Sequence, residues 1–206
     1  MTSGASLERP HVWQPGSGRA PLLLLHGTGG DERDLLPLAG ELAAGAPVLS
    51  VRGTVLENGM PRFFRRLREG VFDEADLVDR ADELAEFLAA AQKEYGVEAG
   101  SWTAVGFSNG ANIASALLLL RPSALRQAVL LAAMVPFRSV PGQADLTGKR
   151  VLVANGRTDP MATPEQTVTL VAQLRERGAE VEVLAHSGGH TVDRAQLPQI
   201  ADWLAV

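Results

Sequence analysis

At 206 residues, with 46% hydrophobic and 21% charged side chains, the chain can bury one full α/β core and is too apolar for a disordered segment. A formal net charge of -5, with no dominant block of like charge, argues against nucleic acid as a partner. The absence of cysteine excludes disulfides, thiolate metal sites and a cysteine nucleophile. No apolar segment near the N-terminus suits a signal peptide, and the most apolar stretch is interrupted by Arg121, Pro122 and Arg126, so no membrane span and a cytoplasmic protein are expected.

The chain reads as one domain, 1–206, with 1–20 as lead-in and edge strand. Residues 1–10 look flexible, and His11-Val12-Trp13 suits a short edge strand. Pro21–Leu25 is a continuous apolar run, the pattern of a strand covered on both faces. It ends at His26-Gly27-Thr28-Gly29-Gly30-Asp31, after which Leu35, Leu36, Leu38, Ala39 and Leu42 recur at helical spacing. Ala46–Val51 is the next strand. Thr54–Glu74, rich in Phe, Arg and Gly, reads as irregular. Asp76–Tyr95 is the clearest helix, with Leu77, Ala81, Leu84, Leu88 and Ala91 on one face and Gly96 as its cap.

Thr103–Val105 then leads through Gly106-Phe107-Ser108-Asn109-Gly110 into a small-residue helix ending near Arg121-Pro122. Ala128–Met134 and Arg150–Ala154 are further apolar strands separated by a loop over Pro136–Lys149. A helix capped by Thr163, with Pro164 in its first turn, runs to Gly178. Glu180–Leu184 is the last strand and Gln196–Ala205 the closing helix. Strands alternating with helices imply a mostly parallel, doubly wound sheet with helices on both faces.

Strand, sharp turn and helix around Ser108 make a nucleophile elbow. Gly106 and Gly110 admit the close approach, and the strained turn exposes the hydroxyl. A Gly-Xaa-Ser-Xaa-Gly match alone is compatible with a plain glycine-rich turn, so the other loops decide. In a doubly wound sheet the chemistry sits at the carboxyl ends of the strands. Asp159 follows one such strand in Asn155-Gly156-Arg157-Thr158-Asp159-Pro160, and His190 follows the last strand in Ser187-Gly188-Gly189-His190. The chain order Ser108, Asp159, His190 goes with this elbow.

In this reading His190 takes the serine proton, Asp159 orients the imidazole, and the backbone N–H groups of Thr28 and Asn109 hold the oxyanion. His186 competes with His190 but lies at the strand end, where a structural role fits better. His186 and His190 lack a third ligand, so no metal is assigned, and the chemistry calls for no cofactor. His26 is read as ordering the oxyanion turn.

The segments LLLLHGTGGD, GFSNGANIA, NGRTDPM and SGGHTV together resemble the phospholipase/carboxylesterase family of α/β-hydrolases, the group that includes acyl-protein thioesterases. The resemblance runs from about Pro21 to the C-terminus. Asn109 stands where many members have Gln. The stretch RGTVLENGMPRFFRRLREGVFDEADL resembles a small bacterial subgroup, some members of which are linked to quinone or hydroquinone stress. The resemblance implies an α/β-hydrolase fold without a separate cap domain, a Ser-His-Asp triad, and action on carboxylic esters.

A carboxylesterase acting on small to medium acyl esters is therefore expected, with a small-molecule ester as its partner. A thioesterase or lysophospholipase would use the same triad, and a catalytically silent hydrolase fold would serve as a binding module. Met60, Phe63, Phe64 and Phe72 are candidate apolar lining of the substrate pocket; alternatively the phenylalanines tie this loop to the core. Arg62, Arg65, Arg66 and Arg68 either form a solvated basic loop or favour a substrate with a carboxylate. Apolar surface around an uncapped site could also support a homodimer.

Overall fold

A computed structural model describes residues 7–205; of the expected flexible lead-in, residues 1–6 lie outside the described residues. In chain order the strands are β1 (His11–Gln14), β2 (Leu22–Leu25), β3 (Val48–Val51), β4 (Val55–Glu57), β5 (Met60–Arg62), β6 (Arg66–Arg68), β7 (Val71–Phe72), β8 (Thr103–Phe107), β9 (Gln127–Leu131), β10 (Arg150–Ala154) and β11 (Glu180–Val183). The α-helices are α1 (Leu36–Leu42), α2 (Glu74–Tyr95), α3 (Asn109–Leu120), α4 (Pro164–Arg175) and α5 (Leu197–Ala205).

The main sheet has the spatial order β1-β3-β2-β8-β9-β10-β11. Only β1 runs antiparallel to its neighbour; the remaining pairs are parallel. Parallel strands need helical crossovers, and these cover both faces. The leucine run of β2 shows the consequence. Leu23 and Leu25 enter the core shared with α2, α3 and α4, whereas Leu22 and Leu24 enter the opposite core shared with α1 and α5. Period-2 alternation over a run buried on both faces requires an uninterrupted apolar sequence. Burying each leucine contributes about 1.5–3 kcal/mol.

Helix α2 begins at Glu74, two residues before the expected start, because Asp73 caps it by accepting from the Asp76 N–H (3.2 Å). It ends at Gly96, whose φ of 66° is the left-handed conformation that suits glycine. Two other expectations are corrected. Thr54–Glu74 is not irregular: it forms the antiparallel hairpins β4–β5 and β6–β7. Asn58 and Gly59 turn the first with φ of 52° and 79°, the pair that a tight two-residue hairpin demands. The expected strand Ala128–Met134 stops at Leu131, and the chain turns at Ala132 with φ 52°. Beyond it, the N–H groups of Ala133 and Met134 go to the side chains of Asn155 and Asn112 rather than to a neighbouring strand.

Strand order reverses at β2: β3 lies on one side and β8 on the other, so the loops leaving β2 and β8 open into one crevice. The β8–α3 turn is closed by direct contact. A Cβ on Gly106 would lie 2.5 Å from the Gly110 carbonyl oxygen, and one on Gly110 would overlap the Leu25 carbonyl. Gly110→Ala is therefore expected to lower stability by about 2–3 kcal/mol, the cost of forcing backbone apart in a packed core. Urea unfolding checks this, and an unchanged midpoint would contradict the packing argument.

Candidate active site

Ser108 sits at the apex of that turn with φ 52° and ψ -114°, a conformation costing about 1–3 kcal/mol for a non-glycine residue. The surroundings hold it there: its N–H donates to the Leu131 carbonyl (2.8 Å), and its carbonyl accepts from the Asn112 N–H (3.0 Å). His190 lies beside it, and Asp159 lies behind the histidine. Asp159 Oδ2 pairs with His190 Nδ1 at 2.7 Å, and His190 Nε2 lies 2.7 Å from Ser108 Oγ. With Nδ1–H donating to the carboxylate, Nε2 is left to accept from the serine hydroxyl. The Asp159 side chain is fully buried, and its Oδ1 accepts from the N–H groups of Met161 (2.8 Å) and Ala162 (3.0 Å). Three residues from three loops thus meet in one hydrogen-bonded line.

Loop geometry brings the last two together. The Gly156–His186 bridge ties the β10 loop to the chain leaving β11, and Arg157 and Thr158 donate N–H bonds to the carbonyls of His186 and Gly188 (2.8 and 3.2 Å). His186 is buried, and its Nδ1 accepts from the Gly188 N–H (3.1 Å), as a structural histidine at the strand end would.

The crevice donors have their own support. Among the described residues neither the Thr28 nor the Asn109 backbone N–H has a protein acceptor. Residues 61–63 brace both positions. The Gly29 N–H donates to the Pro61 carbonyl (2.9 Å), Arg62 Nη1 donates to Thr28 Oγ1 (2.6 Å), and the Phe63 N–H donates to Asn109 Oδ1 (2.7 Å). His26 completes the turn, donating from Nδ1 to the Gly27 carbonyl (2.6 Å) and accepting at Nε2 from the Gly53 N–H (3.0 Å).

A cavity of about 320 Å³ opens on Ser108 and His190. Phe72, Phe107, Met134 and Met161 supply its apolar lining, and Arg62, Arg66, Asn109 and Asn112 its polar lining. Of the expected pocket residues, Phe72 lines this cavity. Phe63 and Phe64 do not: they are buried in the core, Phe63 against the His26 ring (4.8 Å) and Phe64 edge-on to Phe72 (5.0 Å). The correction has a physical reason, since the backbone of this segment braces the crevice while its rings face inward. Met60 lies outside this lining, half-exposed next to Gly29. Arg65 pairs with Asp73 and Asp76 (3.3 and 3.4 Å), and Arg68 lines a neighbouring cavity of about 480 Å³ that shares Gly70, Phe72 and Met134.

Sequence reasoning missed Asn112 and Asn155. Asn155 Oδ1 accepts from the Ala133 N–H and Nδ2 donates to the Ala133 carbonyl (both 2.9 Å), while Asn112 Oδ1 accepts from the Met134 N–H (2.8 Å). The two asparagines fix the backbone of Ala133 and Met134, and Met134 lines the cavity. Their only sequence signal is an amide at an otherwise apolar strand end or helix face.

A protein-family model described as Serine hydrolase (FSH1) matches residues 70–199, more than half of the chain. The chain belongs to this serine hydrolase family. MhqD of Bacillus subtilis strain 168, described as a hydrolase, is 45% identical over 193 residues, covering 94% of this chain and 96% of its own. The crystal structure of the Bacillus cereus carboxylesterase is 46% identical with a TM-score of 0.93, over 96% of this chain and 94% of that one. YahD, solved with malic acid, is 27% identical with a TM-score of 0.90, over 96% and 98%. The fold is that of the α/β-hydrolases, as the motif resemblance implied, and among the described residues no separate cap domain is present. No described helix is long and apolar enough to cross a membrane.

Burial holds His26 below its ordinary value of 6.5, against the opposing hydrogen bond to the Gly27 carbonyl and the carboxylates of Asp34, Asp31 and Glu32. A base with a lowered folded value binds fewer protons folded than unfolded. Its contribution to stability is therefore present above its ordinary value and lost as pH falls through the lowered one. Stability in urea is expected to decline from about pH 7 to 5, and His26→Gln to flatten that slope. Identical slopes in the two proteins would contradict this role.

Proposed function

We propose that this serine hydrolase is a carboxylesterase that cleaves short to medium acyl esters through an acyl-enzyme on Ser108. The observation that carries the reading is the hydrogen-bonded line Asp159–His190–Ser108 ending at a strained elbow serine. Ser108 Oγ attacks the ester carbonyl carbon while its proton passes to His190 Nε2. Asp159 stabilises the imidazolium that forms. The N–H groups of Thr28 and Asn109 receive the oxyanion, each such donor being worth about 3 kcal/mol in the transition state. As the tetrahedral intermediate collapses, the alcohol leaves with the proton from His190. Water then attacks the acyl carbon, gives a proton to His190, and the carboxylic acid departs as Ser108 recovers its proton.

A cavity of about 320 Å³ favours a small substrate over a long lipid chain. The carboxylesterase description of the Bacillus cereus relative supports the ester class, and YahD was solved with malic acid, a small molecule. Hydrolysis of p-nitrophenyl esters from acetyl to palmitoyl, by wild type and by folded Ser108→Ala, tests the reading. Turnover is expected to peak at short acyl chains and to fall by a factor on the order of a thousand or more in the variant. Equal residual rates in both proteins would overturn it.

A further inference from the structure

The charged side of the catalytic cavity is not balanced within the protein. Arg62 is 3% exposed, and its guanidinium reaches Thr28 Oγ1, the Phe64 carbonyl (3.2 Å) and Glu57 Oε2 (3.2 Å). Arg66 takes both oxygens of the same Glu57 carboxylate, from Nε at 2.8 and 3.1 Å and from Nη2 at 2.8 Å. One carboxylate therefore serves two guanidiniums, and both guanidiniums line the cavity that holds Ser108. Burial first, and the neighbouring Arg66 charge second, lower the Arg62 proton affinity from the usual guanidinium range. Glu57 opposes both effects but is shared between two cations, so the buried Arg62 guanidinium is only partly neutralised from the protein side, and a buried cation so placed is costly. Glu69 also lines the cavity, but at an exposed position where water screens its charge.

A guanidinium is a fork of donors matched to a carboxylate. The remaining walls, Phe72, Phe107, Met134 and Met161, suit a short apolar body between that charge and the reacting carbonyl. We propose that the preferred substrate is a short ester bearing a free carboxylate, which docks on the Arg62–Arg66 pair while its ester carbonyl sits at Ser108. This rests on the carboxylesterase reading above. The carboxylate can belong to the acyl half, as in a half-ester of a dicarboxylic acid, or to the alcohol half, as in an ester of a hydroxy acid; the recognition chemistry is shared. Arg62 also braces Thr28, so Arg66 is the residue whose removal separates charge recognition from catalysis.

The test compares charged with near-isosteric neutral esters. Monophenyl glutarate against phenyl pentanoate reports the acyl side, and 4-acetoxybenzoate against 4-methylphenyl acetate reports the alcohol side. Wild type is expected to favour the anion in at least one pair by about 10- to 100-fold in kcat/KM. Arg66→Gln is expected to bring the charged-to-neutral ratio of kcat/KM to within about threefold of unity, and Glu57→Gln to widen that ratio. Independently of any variant, glutarate is expected to inhibit wild-type hydrolysis of phenyl pentanoate competitively, and its neutral diamide not to do so. Neutral esters preferred in both pairs, a uniform loss for charged and neutral esters in Arg66→Gln, or equal inhibition by diacid and diamide would overturn the proposal. Ser108-dependent turnover without anion preference would sink this inference alone; no Ser108-dependent turnover of any ester would sink the reading beneath it.

Discussion

Contact between the backbones of β2, β8 and α3 is the constraint on which the rest of the structure depends. Gly110 lies against the Leu25 carbonyl and Gly106 against Gly110, with no room for a side chain at either. That closeness forces Ser108 into a left-handed conformation and sets its hydroxyl above the sheet edge. It also places the N-terminus of α3 beside the loop leaving β2, so that the Asn109 and Thr28 N–H groups share one crevice. A strained serine is stable only where its surroundings over-determine it. Here they are two backbone hydrogen bonds and a helix whose described residues are almost all buried.

The hairpins over residues 55–72 have two functions in one segment. Their backbone and one arginine clamp Thr28, Gly29 and Asn109, while Arg62, Arg66 and Phe72 line the cavity. Bracing of Thr28 and Asn109 and lining of the cavity are thus built from adjacent residues. Arg62 takes part in both, whereas Arg66 lines the cavity and makes no bond to Thr28 or Asn109. The opposite wall is held from below, where Asn112 and Asn155 bond the chain beyond β9 after it leaves the sheet.

Most of the sheet was legible because strands buried on both faces need continuous apolar runs, which β2, β9 and β10 carry, while that of β3 is broken only by the buried Ser50. The elbow was legible from two glycines at fixed offsets from one serine, and Asp159 and His190 from their places after strands. The hairpins were not, although Asn58-Gly59 is a turn signal; short two-stranded ribbons carry little hydrophobic periodicity, and the phenylalanines and arginines around them obscured it. Composition left the role of the phenylalanines open between pocket and core. Phe63 and Phe64 suited an apolar lining by residue type, yet which way a ring faces depends on where its backbone is tied, and that is a tertiary fact. The asparagines under the β9 loop were invisible for the same reason, since an amide reveals its partner only when the chain has folded.

The central claim is that Ser108 is an activated nucleophile, and covalent capture tests it most directly. Intact-mass measurement after treatment with a fluorophosphonate, followed by peptide mapping, reads both the stoichiometry and the position of the adduct. One adduct per chain, on Ser108, is expected, formed rapidly in wild type and very slowly in His190→Ala. No adduct, an adduct on another residue, or equal labelling rates with and without His190 would contradict it.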